Sequence, residues 1–368
     1  MPAVRLQFCL MKNKLISKTV IGIDLGDKKH AICVVDQEGN IVAEFSIENR
    51  RRELAELSKN YPGSLVAMEV GTHSPWISRL LTGLGMNVVV ANARKLRVIY
   101  TNERKCDEYD AQMLAKLARV DIELLHPITH RSKDSQQDLL MIKLRDTLVR
   151  QRVTAISSIR SSLKALGFQL PAPSSPSFAG IARAELEQNP ELLLLVEPAL
   201  CAIDELSKRI LEFDRMIRGA IKTKHPQAQR LQQITGVGPI TSLCFVLTVE
   251  DEQRFSETRD VAAYFGLVPR RFQSGDSDKQ LPISKTGNRY MRKMLVQSAQ
   301  YIMGHFGPDC ELRRYGLRLT ERGGAAAKKK AVIAVARKLS VLLLTLWKNQ
   351  SDYQPLRDSQ TTTVIQAS

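Results

Sequence analysis

The stretch TVIGIDLGDKKH, residues 19–30, decides the fold of this chain. Residues 19–23 are β-branched or glycine, which predicts a buried strand. Asp24 follows where the strand leaves the core, and Gly26 allows the backbone to pass close to whatever Asp24 binds. Taken alone, such an aspartate is more often a turn residue at a strand end. The alternative is the first ligand of a Mg²⁺ or phosphate site, which requires further carboxylates from other elements.

The next hundred residues predict a mixed sheet covered by helices. The runs HAICVVD (30–36) and NIVAEFSI (40–47) flank a turn, so we expect a hairpin that continues from the first strand. Asn49 is expected to cap the polar helix that follows. A second buried strand, SLVAMEV, carries Glu69 at its carboxyl end, and a helix over 75–84 precedes an apolar strand over 87–91. Hairpin strands followed by alternating helix and strand indicate an α/β arrangement.

Two more carboxylates begin the next predicted helix, RKCDEYDAQMLAKLARV. Asp107 and Asp110 are three residues apart, which places both on one face of the helix. Acids in a first helical turn are common because the helix dipole favours them. However, Asp24 and Glu69 both end buried strands, and parallel strands end at one edge of a sheet. The sequence therefore predicts that four carboxylates meet there, where a divalent cation would offset their repulsion.

Composition favours a polyanionic partner. The chain has 368 residues, 54 Lys and Arg against 38 Asp and Glu, and a net charge of +16. Such an excess points first to nucleic acid, although a basic surface can also serve solubility alone. Six cysteines without a CxxC pair predict neither a zinc knuckle nor a disulfide framework, and they are typical of reduced cytosolic thiols. No apolar run is long enough to predict a membrane span.

From His126 the pattern becomes helical. A polar linker leads to a long basic helix over 138–167, and PAPSSPS (171–177) separates it from a second helical stretch over 181–224. A kink is expected near Pro190 and Pro198. We expect the two helices to pair as an antiparallel coiled coil, which acts as a spacer or else in dimerisation or in holding RNA.

The remaining sequence combines glycine turns, a serine and basic residues. Gly236 and Gly238, in ITGVGPITS, indicate either a helix-hairpin-helix that binds phosphate or a simple helix–helix turn. Ser274 lies in a predicted polar loop, without a nearby histidine to act as its base. The candidate nucleic-acid-binding residues lie on or before a following helix, or in a predicted mobile segment around Gly323 and Gly324: Lys285, Arg289, Arg292, Lys293, Arg313, Arg314, Lys328, Lys329 and Lys330.

Taken in order, these motifs resemble a known family. The strand and helix order with its acids resembles the RNase H-like fold of RuvC-type nucleases. The whole set resembles transposases of the insertion-sequence family 110, the DEDD transposases related to the pilin-gene-inverting recombinase. The resemblance covers roughly residues 19–350 and rests on GIDLGDKKH, AMEVGTHSPW, DEYDAQMLAKL, ITGVGPITS, FGLVPRRFQSG and ISKTGNRYMRKML.

The resemblance implies a site and a mechanism. The family's tetrad falls on Asp24, Glu69, Asp107 and Asp110, which would hold Mg²⁺ or Mn²⁺, and its catalytic serine falls on Ser274. It implies that the serine forms a covalent phosphoserine link to DNA in a composite site shared between subunits of a homo-oligomer, a dimer or tetramer. It also implies an element-encoded bridge RNA that pairs with donor and target DNA, in the cytoplasm of a prokaryote.

We expect five regions. These are an N-terminal extension (1–17), a RuvC-like DEDD domain (18–127), a coiled-coil region (128–227), a mainly helical C-terminal domain with the serine (228–350) and a disordered tail (351–368).

Three other functions remain open from the residues. An actin-like kinase or ATPase shares the GIDLG pattern, but the chain lacks that class's second phosphate loop and its glycine-rich adenosine site. A structure-selective nuclease would use water and the four acids without serine chemistry. A nucleic-acid-binding scaffold would carry a decayed site and no activity.

Overall fold

The computed structural model describes residues 19–96, 106–171, 175–274, 277–321 and 323–356. The chain divides into two compact units, Met1–Ser132 and Lys133–Ser368. The expected N-terminal extension, 1–17, lies outside the described residues.

A five-stranded mixed sheet forms the centre of the first unit. Its strands are β1 (Val20–Leu25), β2 (Lys29–Val35), β3 (Ile41–Glu48), β4 (Leu65–Glu69) and β5 (Asn87–Ala91), in the order β3-β2-β1-β4-β5. β1, β2 and β3 are antiparallel neighbours, whereas β4 is parallel to both β1 and β5. The predicted hairpin strands and the mixed sheet are therefore confirmed.

Within the described part of this unit, three helices cover the two faces of the sheet: α1 (Arg51–Asn60), α2 (Ser74–Gly83) and α3 (Asp107–Val120). Alternate residues of each strand point to opposite faces. Ile21 and Ile23 pack with α1 and α2, whereas Val20 lies on the face that α3 covers. Asn49 does not cap α1 as expected; the cap position is Arg50, and the Asn49 amide donates to the carbonyl of Asp27 at 3.1 Å.

Two long helices dominate the start of the second unit, α4 (Lys133–Ala165) and α6 (Pro190–Thr223), with α5 (Phe178–Glu185) between them. As the residue number rises along α4, the number of the residue that it contacts on α6 falls. Arg145 donates to Asp214 at 2.6 Å, and Arg152 donates to Ser207 at 3.0 Å. The helices are thus an antiparallel pair, and a coiled-coil geometry stays a prediction. Pro190 starts α6, and Pro198 lies inside it.

The rest of the second unit packs as a helical core. It contains α7 (Pro226–Leu231), α8 (Pro239–Val249), α9 (Asp260–Tyr264), α10 (Arg289–Met303), α11 (Glu311–Thr320) and α12 (Gly324–Asn349). Leu139 and Ile142 of α4 and Ile217 and Ile221 of α6 belong to the same buried cluster. Because this core is shared, the expected coiled-coil and C-terminal regions form one compact unit.

Two segments differ from expectation. Residues expected to form a polar loop instead form a hairpin of β6 (Pro269–Ser274) and β7 (Ser277–Ile283). The expected tail begins later than 351, because the Tyr353 backbone N–H donates to the Gln233 side chain at 2.7 Å and Tyr353 packs on the core. The tail positions 357–368 lie outside the described residues.

None of the helices described meets the length and hydropathy needed to cross a membrane.

Candidate carboxylate site and basic surface

Asp24 and Glu69 end neighbouring parallel strands. β1 and β4 pair with Ile23 opposite Met68, so the next residue of each strand, Asp24 and Glu69, lies at the same edge of the sheet. Ile23 and Met68 belong to the core on the α1 and α2 face. Because side chains alternate along a strand, Asp24 and Glu69 project towards the other face, which α3 covers. Both residues are half-buried.

Gly22 allows α3 to lie directly on β1. A Cβ atom at Gly22 would overlap the carbonyl oxygen of Ala111 and would lie 2.7 Å from the amide nitrogen of Ala115. Ala111 and Ala115 are themselves fully buried and small. This close crossing brings the first turn of α3, with Asp107 and Asp110, towards the end of β1.

A cysteine caps this turn. The Cys106 Sγ accepts a hydrogen bond from the Tyr109 backbone N–H at 3.4 Å, as a serine hydroxyl would at the same position. Asp110 is buried, whereas Asp107 is exposed. The helix start therefore holds one carboxylate inside the site and one at its rim.

The four carboxylates act on one another electrostatically. Burial raises the pKa of Asp24 to about 6, and the negative charges of Asp107, Asp110 and Glu69 contribute to this rise in that order of effect. A hydrogen bond from the Leu25 backbone opposes this rise in pKa. The structure thus brings the four predicted acids into one electrostatic cluster.

The donor set suits a divalent cation in its chemistry, because carboxylate oxygens are the ligands that Mg²⁺ and Mn²⁺ prefer. Burial and, after it, repulsion by the other three acids raise the pKa of Asp24, and a cation would offset that repulsion. Among the described side chains, no group of three or more His, Cys, Asp or Glu is drawn close enough to hold a metal ion. The four carboxylates therefore influence one another electrostatically, but they are not arranged as a coordination shell.

Ser274 belongs to the second unit, whereas the four acids belong to the first. It is the last residue of β6 and is paired with Ser277 of β7. The expectation of a flexible loop at Ser274 is therefore wrong: cross-strand pairing holds its backbone at the end of a hairpin. Gly275 and Asp276, which join the strands, lie outside the described residues.

The predicted basic residues divide into two groups. Some make internal contacts. Arg292 donates to the carbonyls of Phe265 at 2.8 Å and Thr286 at 2.6 Å. Arg313 donates to the carbonyls of Ile302 and Gly304. In this group Arg314 pairs with Asp309 at 2.6 Å, and Lys293 pairs with Asp146 at 3.6 Å.

The second group is exposed, without an ion pair or side-chain hydrogen bond to any described residue: Lys285, Arg289, Lys328, Lys329 and Lys330. Lys285 precedes α10 with a φ of 54°, and Arg289 begins that helix. The three consecutive lysines lie near the start of α12 rather than in the expected mobile segment. We refer to these five exposed residues together as the basic surface; their charges are available to a polyanion.

Gly236 and Gly238 lie in the turn between α7 and α8. Gly236 has a φ of 94°, and a Cβ atom there would lie 3.0 Å from the Tyr301 ring. α8 begins with Pro239, which has no N–H to offer a phosphate. Backbone conformation and packing account for Gly236, and phosphate binding at this turn stays a prediction.

Sequence reasoning missed the role of Gly22. The available signal was a glycine inside an otherwise β-branched strand together with two alanines four residues apart on a helix. Interior strand glycines commonly mark a close backbone approach.

Known proteins resemble this chain over most of its length. A DEDD transposase model of the insertion-sequence 110 type matches residues 21–167, and a model described as the transposase IS116/IS110/IS902 family matches residues 228–315. The transposase for insertion sequence element IS1111A of Coxiella burnetii is 26% identical over 341 residues, which is 91% of each chain. The pilin gene-inverting protein of Moraxella lacunata is 32% identical over 114 residues, 31% of this chain and 34% of that one.

Among solved structures, Thermus thermophilus RuvC in complex with a Holliday junction substrate overlaps 28% of this chain and 96% of that chain, with 12% identity and a TM-score of 0.22. The two family models match separate parts of the chain, one containing the four carboxylates and the other containing Ser274. The chain belongs to the IS110/IS116/IS902 family of transposases.

Proposed function

We propose that this protein is an insertion-sequence transposase that cuts and rejoins DNA. One observation carries the proposal: Asp24 and Glu69 end paired parallel strands at one sheet edge, where the charges of Asp107, Asp110 and Glu69 all act on Asp24. Clustered carboxylates at one sheet edge are costly unless they hold a cation, so structural packing does not account for them. The similarity to named transposases and to a gene-inverting protein supports DNA as the substrate.

Asp24, Glu69, Asp107 and Asp110 would hold Mg²⁺ or Mn²⁺. When bound, such an ion supplies charge stabilisation for phosphodiester cleavage. In its absence, protonation of Asp24 lowers the repulsion among the acids. Ionised Asp24 is therefore the form that binds the cation, and we expect cation affinity to rise as the pH passes through the pKa of Asp24 in the metal-free protein.

Ser274 would be the nucleophile. Its Oγ would attack a DNA phosphorus, forming a P–O bond to serine while the bond to the 3′ oxygen breaks. The serine gives up its proton and the departing 3′ oxygen takes one up, so the step is balanced. The product is a 5′-phosphoserine link, which a free 3′ hydroxyl reverses when the strands are rejoined.

The basic surface would contact the nucleic-acid backbone. Lys285, Arg289 and the lysines at 328–330 are exposed and suit phosphates rather than base edges. Phosphate contacts position a duplex without reading its sequence, so this surface fits a protein that delegates sequence choice to a bridge RNA. The four acids and Ser274 lie in separate units, which is compatible with a composite site shared between subunits of a homo-oligomer. The location of such a protein would be the cytoplasm.

A covalent-adduct trap tests the function. The chain is expressed with its native flanking DNA so that any RNA co-purifies, then mixed with Mg²⁺ and donor DNA, denatured and digested. We expect a nucleotide on the peptide with Ser274, and we expect it to vanish with EDTA, with Asp24→Ala and with Ser274→Ala.

Ser277, opposite Ser274 in the hairpin, is the matched control. Ser277→Ala should keep the adduct, and an adduct on Ser277 would overturn the nucleophile assignment. Cleaved DNA without attached protein would instead establish the water-using nuclease. Binding without any cleavage, with RNA and target DNA supplied, would favour the scaffold.

A further inference from the structure

We propose that His73 is a positioning residue for the carboxylate site: by hydrogen bonding to Asp27 it ties the loop after β4 to the loop after β1, and so supports the placement of Glu69 and Asp24 that the pairing of β1 with β4 sets. The inference rests on the proposed metal-binding function of the four carboxylates.

The hydrogen bonds of His73 define its tautomer. Its Nε2 lies 3.0 Å from Asp27 Oδ1, and its Nδ1 lies 3.3 Å from the indole Nε1 of Trp76. An indole N–H can only donate, so Nδ1 of His73 is the acceptor. The ring proton is therefore on Nε2, and His73 donates it to Asp27. A chain of directed bonds runs from Trp76 through His73 to Asp27.

The loop after β4 is rigid. The Gly71 N–H donates to the Ser74 hydroxyl at 3.0 Å, and that hydroxyl lies 2.9 Å from the Gly71 carbonyl oxygen, to which it donates. Val70 N–H donates to the carbonyl of Ala91 in β5. His73 is the residue before α2 and lies four positions after Glu69. These hydrogen bonds therefore hold the backbone that carries the His73 imidazole.

The loop after β1 is held from its other side by Asn49. The Asn49 amide donates to the Asp27 carbonyl at 3.1 Å, and the Asn49 N–H donates to the Lys28 carbonyl at 2.9 Å. These bonds fix the backbone of the loop relative to the end of β3. The Asp27 side chain, 94% exposed, is fixed relative to β4 by His73.

Each residue of the His73–Asp27 hydrogen bond lies close in sequence to one acid of the site. Asp27 follows Asp24 by three residues, and His73 follows Glu69 by four. Residues that orient metal ligands commonly change metal affinity when they are replaced, because small displacements of the ligands weaken coordination. The pair is thus placed to support the positions of Asp24 and Glu69 at the ends of β1 and β4.

Two substitutions at His73 each remove one of its two hydrogen bonds and keep the other. In His73→Gln the side-chain N–H reaches the Nε2 position and keeps the bond to Asp27, while the acceptor for Trp76 is lost. In His73→Asn the oxygen reaches the Nδ1 position and keeps the bond from Trp76, while the bond to Asp27 is lost. The readout is Mn²⁺ affinity of the full chain, measured by electron paramagnetic resonance. We expect His73→Gln to match wild type and His73→Asn to bind about three- to tenfold more weakly.

Trp76 fluorescence in a Trp347→Phe background provides the opposite readout. Emission should change in His73→Gln and stay unchanged in His73→Asn. His225, whose Nε2 lies 2.8 Å from Asp138 Oδ2 in the second unit, is the matched histidine–aspartate control. His225→Gln and His225→Asn should both keep wild-type Mn²⁺ affinity.

Equal Mn²⁺ affinity in His73→Asn and His73→Gln would overturn the inference. If His73→Asn fails to fold by circular dichroism, Asp27→Ala and Asp27→Asn replace the pair, because asparagine keeps the acceptor that alanine removes. Failure of the proposed function gives a different result: wild type would then bind no Mn²⁺, or Asp24→Ala would bind it equally well.

Discussion

Burial and three neighbouring carboxylates all raise the pKa of Asp24. Its pKa rises from 3.8 to about 6. A raised carboxyl pKa means that the folded state binds the proton more tightly than the unfolded chain does. The ionised form at neutral pH therefore destabilises the fold, and this cost is present above the folded pKa and absent below the unfolded one.

Removing this charge should stabilise the protein in chelator. Asp24→Asn is expected to raise the free energy of unfolding by about 1–2 kcal/mol at pH 7.5, after discounting for solvent screening, and to have little effect near pH 3.5. Thermal unfolding at both pH values measures this. The exposed Glu38, changed to Gln, is the control and should shift neither value. A Tm gain for Asp24→Asn that is independent of pH would contradict the assignment of the effect to ionisation.

At the scale of elements, the crossing of α3 over β1 assembles the site. Gly22 is buried in the strand, and the backbone of α3 fills the space that its side chain would need. The acids at the start of α3 therefore depend on a residue that carries no functional group.

Gly22→Ala should displace α3 and destabilise the first unit by about 1–3 kcal/mol, since overpacking forces backbone shifts. It should also lower the pKa of Asp24, because the acids move apart, and the pH dependence of unfolding would report this. Gly83→Ala is the control: Gly83 lies in the last turn of α2 with no atom within 4 Å of an added Cβ. A neutral Gly22→Ala would mean that α3 does not need this close approach.

The contacts of α10 separate an arginine with internal hydrogen bonds from an exposed one. Arg292 satisfies two backbone carbonyls, whereas Arg289, one turn earlier, is exposed. Arg292→Lys should lower the free energy of unfolding by about 1–3 kcal/mol, because one ammonium does not reproduce the guanidinium geometry at two carbonyls. Arg289→Lys should leave stability unchanged. Chemical denaturation measures both, and equal stabilities would place Arg292 with the exposed group.

At the scale of the whole molecule, the carboxylate cluster belongs to the first unit, whereas the five residues of the basic surface and Ser274 belong to the second. The net charge of +16 gives the chain a long-range attraction for nucleic acid.

Replacing Lys328, Lys329 and Lys330 together by Gln should weaken nucleic-acid binding about equally for all sequences. It should also reduce the slope of log affinity against log salt by about 0.9 for each phosphate of duplex DNA that the variant no longer neutralises. Fluorescence anisotropy at several salt concentrations measures the slope. Replacing Lys133, Lys143 and Lys164 on α4 by Gln removes the same charge elsewhere. An equal reduction of the slope would show that net charge, and not this surface, governs binding.

Much of this architecture could be predicted from local patterns. The strands were correctly predicted because β-branched runs are periodic and bounded by turn residues, and the acids at strand ends follow from the parallel pairing of β1 and β4. The hairpin at Ser274 was missed because QSGDSDKQ is polar throughout, so no hydrophobic alternation marks its strands. The internal roles of Arg292 and Arg313 were missed because they depend on carbonyls distant in the sequence.

The sequence by itself determined the order of the strands and helices in the first unit, the positions of the four acids and the family, because local periodicity and motif order specify them. Only the tertiary structure decided which residues act on one another. The pKa of Asp24, the crossing at Gly22 and the bond from His73 to Asp27 join segments separated by tens of residues. Their physical basis is the distance and burial that packing creates, which no local pattern in the chain encodes.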